Sequence, residues 1–91
     1  MKVDYLARFD REFQKLHVPT QESVKKAIVS LLHHLQVGTR PQGLGLRRLR
    51  GIIWEIRVGL TYRILFELKK DTITFAFIGT HDEVKRFLRT L

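Results

Sequence analysis

Three alternating segments joined by short turns restrict the fold of this chain more than any other feature. Polar and apolar residues alternate over residues 53–58 and again over 61–68, and residues 72–78 are rich in β-branched and aromatic side chains. Gly59-Leu60 separates the first two segments, and Lys69-Lys70-Asp71 separates the last two. Alternation with a period of two predicts β-strands, and such short connections predict that neighbouring strands run antiparallel. The chain must therefore be built around an antiparallel meander.

Two helical patterns precede the meander. Phe9, Phe13 and Leu16 recur at helical spacing and predict a short helix. A longer apolar stripe predicts a second helix, with Thr20 as its N-cap and Gly38 as its end. The members of this stripe are Val24, Ile28, Leu31, Leu32 and Leu35.

The remaining segments complete a single domain over residues 1–91. Residues 3–6 and 46–49 predict short strands, residues 82–91 predict a closing helical turn or two, and residues 38–45, which include Pro41, predict a loop. The predicted fold class is α+β: two N-terminal helices pack on one face of a mainly antiparallel sheet of about four strands, and a short C-terminal helix follows. The other face is then expected to stay uncovered and to carry Arg57 and Arg63.

Positive charge is concentrated in one part of the chain. The 91 residues contain 17 Lys and Arg against 9 Asp and Glu, which gives a net charge of +8. Six of these bases, all arginine, fall within residues 38–63, where Glu55 is the only acid. This concentration favours a polyanionic partner, either a nucleic acid or an acidic protein segment. Alternatively, the positive charge serves only to keep the protein soluble and binds no particular partner.

Composition excludes several classes of protein. The chain has no cysteine, so disulfides, thiolate metal sites and a cysteine nucleophile are excluded. No apolar run approaches the roughly 20 residues that a membrane span needs. The N-terminal residues lack the hydrophobic stretch of a signal peptide. We therefore expect a cytoplasmic protein without a membrane partner.

The available side chains leave few kinds of catalysis. Ser23 and Ser30 are the only serines, and both fall inside the second predicted helix, whereas a nucleophilic serine needs a strained turn. His33 and His34 point about 100° apart on a helix and cannot share a metal ion, so neither a metal nor another cofactor is expected. Arginines with a histidine suit metal-free phosphodiester cleavage in RNA, because RNA supplies its own nucleophile, the 2′-OH, and a guanidinium stabilises phosphoryl charge.

Three motifs within residues 46–67 resemble those of the RelE/ParE toxin superfamily. They are Leu46-Arg47-Arg48-Leu49-Arg50-Gly51, Trp54-Glu55-Ile56-Arg57-Val58-Gly59 and Tyr62-Arg63-Ile64-Leu65-Phe66-Glu67. The second motif is also similar to HigB-type relatives, and the resemblance extends over nearly the whole chain. It implies the toxin of a bacterial type II toxin–antitoxin pair, with a cognate antitoxin, mRNA and the ribosome as partners. In the RelE branch such a toxin is a ribosome-dependent mRNA endoribonuclease that uses metal-independent attack by the 2′-OH.

The resemblance also implies roles for single residues. Arg63 matches a phosphate and transition-state binder, Arg57 lines the same face, and His81 matches a position where nucleases carry an arginine or histidine, here for proton transfer. Contacts to RNA are expected from Arg47, Arg48, Arg50 and Lys85. Two alternatives stay open: a ParE-like inhibitor of DNA gyrase, which needs no catalysis, and a basic nucleic-acid-binding module.

Overall fold

The computed structural model describes residues 1–38 and 43–91. In order along the chain, the elements of this part are β1 (Lys2–Tyr5), α1 (Ala7–Gln14), α2 (Val18–Val37), β2 (Arg47–Arg50), β3 (Ile53–Val58), β4 (Tyr62–Lys69), β5 (Thr72–Thr80) and α3 (His81–Leu88). The α+β class is as predicted. Part of the loop predicted over residues 38–45, including Pro41, lies outside the described residues. No helix in the described ranges combines the length and the apolar character needed to cross a membrane.

The strands form one sheet in the order β1-β5-β4-β3-β2. Strands β2 to β5 make the predicted antiparallel meander. The N-terminal strand β1 joins the far edge by pairing parallel with β5, which makes the sheet mixed. The sheet thus has five strands, one more than the four or so expected. The additional strand is β1: alternation identifies it as a strand but does not indicate its partner β5, which lies some 70 residues further along the chain.

Helices α1 and α2 cover one face of the sheet, as predicted. Phe9 of α1 and Val24, Ile28 and Leu31 of α2 are buried there. The strands contribute alternate side chains to the same core, with a register shift between β4 and β5 that changes the alternation after Phe75: Ile56, Val58, Ile64, Phe66, Ile73, Phe75 and Ile78. Burial of each large apolar side chain contributes about 1.5–3 kcal/mol, so this layer supplies most of the driving force for folding.

The start of α2 differs from the prediction, whereas its end agrees. The helix begins at Val18, with His17 rather than Thr20 at the N-cap position. Pro19 fits inside the first turn because backbone N–H groups there have no helical partner to lose. Gly38 ends the helix at φ 86°, the left-handed conformation in which glycine is favoured.

Helix α3 covers part of the second sheet face, so the expectation of a wholly uncovered face was wrong. Val84 is buried against Leu65 and Phe77 of the sheet, and the partly buried Phe87 and Leu88 join this second cluster. Three apolar residues at helical spacing are enough to cover half of so small a sheet. The other half of the face, over β2, β3 and the start of β4, carries Arg57 and Arg63, as expected.

Candidate functional site

Strand register brings three arginines and one glutamate together on the open half of this face. Arg57 of β3 pairs directly with Arg63 of β4, and Glu55 pairs with Arg47 of β2. Because side chains alternate along a strand, all four point to the side of the sheet that α3 partly covers. They line a cavity of about 380 Å³ together with Gly45 and Leu46. We call this cavity the arginine cleft.

Glu55 lies at the centre of the arginine cleft. It is only 3% exposed, and one of its oxygens, Oε2, accepts a hydrogen bond from Nη1 of Arg63 at 2.9 Å. The same oxygen lies 3.0 Å from Nη2 of Arg47. A buried carboxylate is stable only when it is paired, and here two guanidinium groups provide that pairing. The ion pairs in turn fix the direction of both arginine side chains.

Sequence reasoning gave Glu55 no role. Its position in the sequence nevertheless indicates a role. Glu55 is the only acid among the arginines of residues 38–63, and it lies two residues from Arg57 on the same strand face. An acid at that spacing is placed to pair with arginines on the neighbouring strands. The alternation alone therefore contained the information that Glu55 belongs to the cleft.

Arg57 is held differently from the other two arginines. It is exposed, and no carboxylate in the described part of the chain pairs with it. Its backbone N–H donates to the carbonyl oxygen of Leu44 at 2.9 Å, which brings Gly45 against its side chain. A Cβ atom on Gly45 would lie 2.6 Å from Nε of Arg57, and Gly45 itself has a φ of 62°. Gly45 thus provides the space in which the Arg57 side chain lies.

The charge balance of the cleft favours an anion. Three guanidinium groups and one carboxylate leave it with a net charge of +2. Arg57 and Arg63 stand directly opposite each other, an arrangement that is unfavourable until a negative charge lies between or beside them. Glu55 meets part of this need, and a bound phosphate would meet the rest through guanidinium N–H groups that Glu55 does not bind.

Arg48 and Arg50 lie outside the cleft, although sequence reasoning grouped them with Arg47. Nε of Arg48 donates to the carbonyl oxygen of Gly51 at 2.7 Å. Nη2 of Arg50 donates to the carbonyl oxygen of Leu88, near the end of α3. Arg48 pairs with Trp54, so strand alternation turns it to the other face, whereas the hydrogen bond to Leu88 holds the Arg50 side chain at α3 and outside the lining of the cleft. Their predicted contacts with RNA stay a prediction.

The other predicted site residues, His81 and Lys85, are exposed on α3. Gly79 pairs with Arg63, and α3 begins two residues later at His81, so the helix starts beside the end of the cleft. Neither His81 nor Lys85 lines the cleft, and among the described residues no hydrogen bond or ion pair joins either side chain to Arg63. Proton transfer by His81 therefore stays a prediction.

The side of α3 on which these two residues lie can be worked out from its packing. Val84 faces the sheet, while Glu83 and Phe87 line a groove with Arg8 of α1 on one side of the helix. With 100° between successive residues, His81 and Lys85 lie on the other side of Val84. The two exposed bases are therefore turned away from α1 and toward the half of the sheet that carries the cleft.

The junction of β5 and α3 is tightly built. Thr80 and Glu83 form a capping box: the backbone N–H of Thr80 donates to Oε1 of Glu83 at 2.8 Å, and Oγ1 of Thr80 accepts from the N–H of Glu83 at 3.3 Å. The hydrogen bond from the Thr80 backbone lowers the pKa of Glu83 below its ordinary value. A Cβ atom on Gly79 would lie 2.9 Å from the Phe77 ring and 3.0 Å from Cβ of Glu83. Glycine at this position lets α3 fold back closely onto the sheet.

Comparison with known proteins gives matches among solved structures alone. No protein-family model matches the chain, and a search of curated proteins finds no significant match.

Within the described residues there is no group of three or more side chains that could hold a metal ion.

Solved toxin structures share the fold. A chain of the E. coli DinJ–YafQ complex aligns with a TM-score of 0.74 at 17% identity, covering 91% of this chain and 96% of that chain. A chain of the RelB–RelE antitoxin–toxin complex from Methanococcus jannaschii aligns at 0.66 and 17%, covering 92% and 96%. A YoeB/ParE toxin from Agrobacterium tumefaciens aligns at 0.68 and 13%, covering 89% and 99%. The chain therefore has the fold of the RelE/ParE toxins.

Proposed function

We propose that this protein is the toxin of a bacterial type II toxin–antitoxin pair and that it cleaves mRNA on the ribosome through attack by the RNA 2′-OH. The observation that carries the proposal is the arginine cleft, in which Glu55 holds Arg63 beside Arg57, an arginine with no carboxylate partner in the part of the chain that the structure describes. The cleft lies in a fold that solved toxins share.

The cleft supplies what RNA cleavage requires at phosphorus. The 2′-oxygen bonds to phosphorus, the bond from phosphorus to the 5′-oxygen breaks, and the products are a 2′,3′-cyclic phosphate and a 5′-hydroxyl. Arg63 and Arg57 stabilise the negative charge that accumulates on the phosphoryl oxygens. Both also hold the phosphate in one orientation, which favours in-line attack. No metal ion is needed for either effect.

Proton transfer requires a different kind of side chain. The 2′-OH must lose a proton and the 5′-oxygen must gain one, whereas arginine stays protonated throughout. An imidazole can do both near neutral pH. His81, at the start of α3 and turned toward the cleft, is the side chain that we assign to this role. RNA in the cleft would approach it along the start of β4.

A cognate antitoxin is the proposed protein partner. The chain has a net charge of +8, and the cleft has a net charge of +2 without a ligand. An acidic segment of the antitoxin that folds on binding would neutralise this surface and exclude RNA from it. Structures that share this fold include chains of complexes described as toxin–antitoxin complexes.

One observation favours a second candidate function. No side chain in the described lining of the cleft is suited to proton transfer at neutral pH, apart from the ion-paired Glu55. A protein that inhibits DNA gyrase by binding needs no such group. The same fold occurs in a protein described as a YoeB/ParE toxin, so this alternative is compatible with the architecture.

A purified translation system with a parallel gyrase supercoiling assay separates the two candidates. We expect primer extension to detect mRNA cleavage on the ribosome, and His81→Ala to slow that cleavage by about 10²–10⁴ while ribosome binding is retained. An absence of cleavage together with gyrase inhibition that persists in His81→Ala would favour the second candidate. Cleavage at full rate in His81→Ala would leave the nuclease in place and remove only the role of His81.

A further inference from the structure

We propose that Glu55 is a positioning residue of the arginine cleft: its buried carboxylate holds Arg63 and Arg47 for a single phosphodiester and keeps the cleft from binding RNA too tightly. This inference rests on the proposed function, and it assigns to Glu55 a role that does not involve contact with the reacting atoms. Glu55 lies at the base of the cleft, and because the two arginines that it binds are more exposed, we assign the contact with substrate to them.

The burial gradient supports this arrangement. Glu55 is 3% exposed, whereas the side chain of Arg63 is 23% exposed and that of Arg47 is 64% exposed. The carboxylate is therefore the base of the cleft, and the guanidinium groups extend from it toward solvent. Both arginines meet the same oxygen, Oε2, so one anchoring atom fixes the two groups relative to each other. Since a guanidinium has five N–H donors, each arginine keeps donors for a second anion.

The net charge of the cleft affects how tightly it binds a phosphate. A phosphodiester is singly charged, whereas attack by a deprotonated 2′-oxygen produces a doubly charged phosphorane. With Glu55 present the cleft has a net charge of +2, and without it the charge would be +3. Additional positive charge would strengthen binding of both the ground state and the transition state, so the slower cleavage expected without Glu55 comes from the lost orientation of Arg63 and not from the change in charge. Glu55 thus lowers ground-state binding while it keeps Arg63 in the orientation that the transition state needs.

A purely structural ion pair makes different predictions from a positioning residue. If Glu55 contributed only to folding, its removal would lower stability without an opposing change in RNA binding and cleavage. If it positions the arginines, its removal strengthens RNA binding and slows cleavage at the same time. This opposition between affinity and rate is the signature that the experiment has to detect.

Glu55→Gln is the first variant, and Glu67→Gln is its matched control. Both substitutions remove one negative charge, and Glu67 of β4 forms no ion pair within the described residues. Binding is measured with a 2′-O-methyl RNA, which cannot be cleaved, over a range of salt concentrations. We expect Glu55→Gln to bind roughly threefold to tenfold more tightly than wild type and to steepen the salt slope by about 0.7. Glu67→Gln should change both quantities much less.

Single-turnover cleavage on the ribosome gives the rate. We expect Glu55→Gln to be slower than wild type by about 10² at saturation, with half-saturation at a lower concentration. The double variant Glu55→Gln with Arg47→Gln restores the wild-type net charge, so its RNA affinity should return toward that of wild type while its cleavage stays slow. The double variant also replaces the single variant in these measurements if the single variant fails to fold. In the double variant only Arg63 loses its carboxylate partner, whereas in the single variant both Arg63 and Arg47 lose it.

The outcomes separate the two levels of the proposal. Equal binding and equal salt slopes in Glu55→Gln and Glu67→Gln would overturn the role of Glu55, as would a double variant that cleaves at the wild-type rate. If wild type binds RNA but does not cleave it, the proposed nuclease function fails. In that case the binding comparison still decides whether Glu55 restrains the cleft.

Discussion

At the scale of single residues, Gly45 has to be glycine for two reasons. Its φ of 62° lies in the left-handed region, and a Cβ atom there would lie 2.6 Å from Nε of Arg57. The first reason is backbone strain and the second is a clash with Arg57. A glycine with the same φ and no such neighbour therefore serves as a control that shows the effect of backbone strain alone. Gly59, in the turn between β3 and β4, has almost the same φ of 63°, with nothing in the described residues within 4 Å of the position of its Cβ.

We predict that Gly45→Ala and Gly59→Ala both lower the free energy of unfolding by about 1–2 kcal/mol, because both place an L side chain in the left-handed region. Only Gly45→Ala should also weaken RNA binding, since it displaces Arg57. Urea unfolding and titration with 2′-O-methyl RNA test this. Equal RNA affinities for the two variants would show that Gly45 does not position Arg57.

At the scale of secondary-structure elements, periodicity predicted which segments are helices and strands but not how α3 packs. The alternation over residues 53–58 and 61–68 identified two strands and placed Arg57 and Arg63 on one face. Helix α3 is short, and only its contacts with Leu65 and Phe77 show that it lies across that face. Likewise, nothing in the local pattern of β1 indicates a parallel partner in β5. Long-range contacts of this kind leave no local trace in a single sequence.

The capping box that begins α3 gives a pH-dependent prediction. The pKa of Glu83 is lowered in the folded protein, so its carboxylate stabilises the fold above its unfolded pKa of about 4.5, and this stability is lost as pH falls through the lower folded value. We predict that Glu83→Gln lowers the free energy of unfolding by about 0.3–0.5 kcal/mol at pH 7 and by less at pH 3, because glutamine can still accept the capping hydrogen bond but lacks the negative charge that favours a helix N-terminus.

Urea unfolding at the two pH values measures the difference. Asp82→Asn is the control, because Asp82 lies in the same first turn and outside the capping box. A deficit in Glu83→Gln that is as large at pH 3 as at pH 7 would contradict the assignment.

At the scale of the whole molecule, the main hydrophobic core and the proposed site lie on opposite faces of the sheet. One face holds the main core with α1 and α2, and the other holds α3 and the arginine cleft. Charge counting placed the basic region within residues 38–63, which contains all three arginines of the cleft. It could not separate Arg47 from Arg48 and Arg50, because that division depends on strand register. Nor could it reveal the ion pairs of Glu55, which depend on three adjacent strands.

The basic face leads to a prediction about the proposed antitoxin. Induction of this chain in bacteria should arrest growth, and co-expression of an acidic protein encoded beside it should restore growth and yield a co-purifying complex. Because the attraction is electrostatic, the association rate should fall steeply as salt concentration rises. Growth that is unaffected despite soluble expression would contradict the toxin role, and a neighbour that neither binds nor protects would contradict the partner.

The central claim is that the arginine cleft is where RNA is cleaved. Arg57 tests it more cleanly than Arg63, because Arg63→Ala would also leave the buried Glu55 without a partner and so mix stability with chemistry. Arg48→Ala is the matched control: it removes the same charge from an exposed arginine outside the cleft.

The decisive measurement is the single-turnover rate of mRNA cleavage on saturating ribosomes in a purified translation system. We predict that Arg57→Ala lowers this rate by about 10²–10³, the usual effect of losing a preorganised charge donor, and that Arg48→Ala leaves it within about threefold of wild type. Equal rates for Arg57→Ala and Arg48→Ala would contradict the account, because the chemistry would then take place away from the cleft.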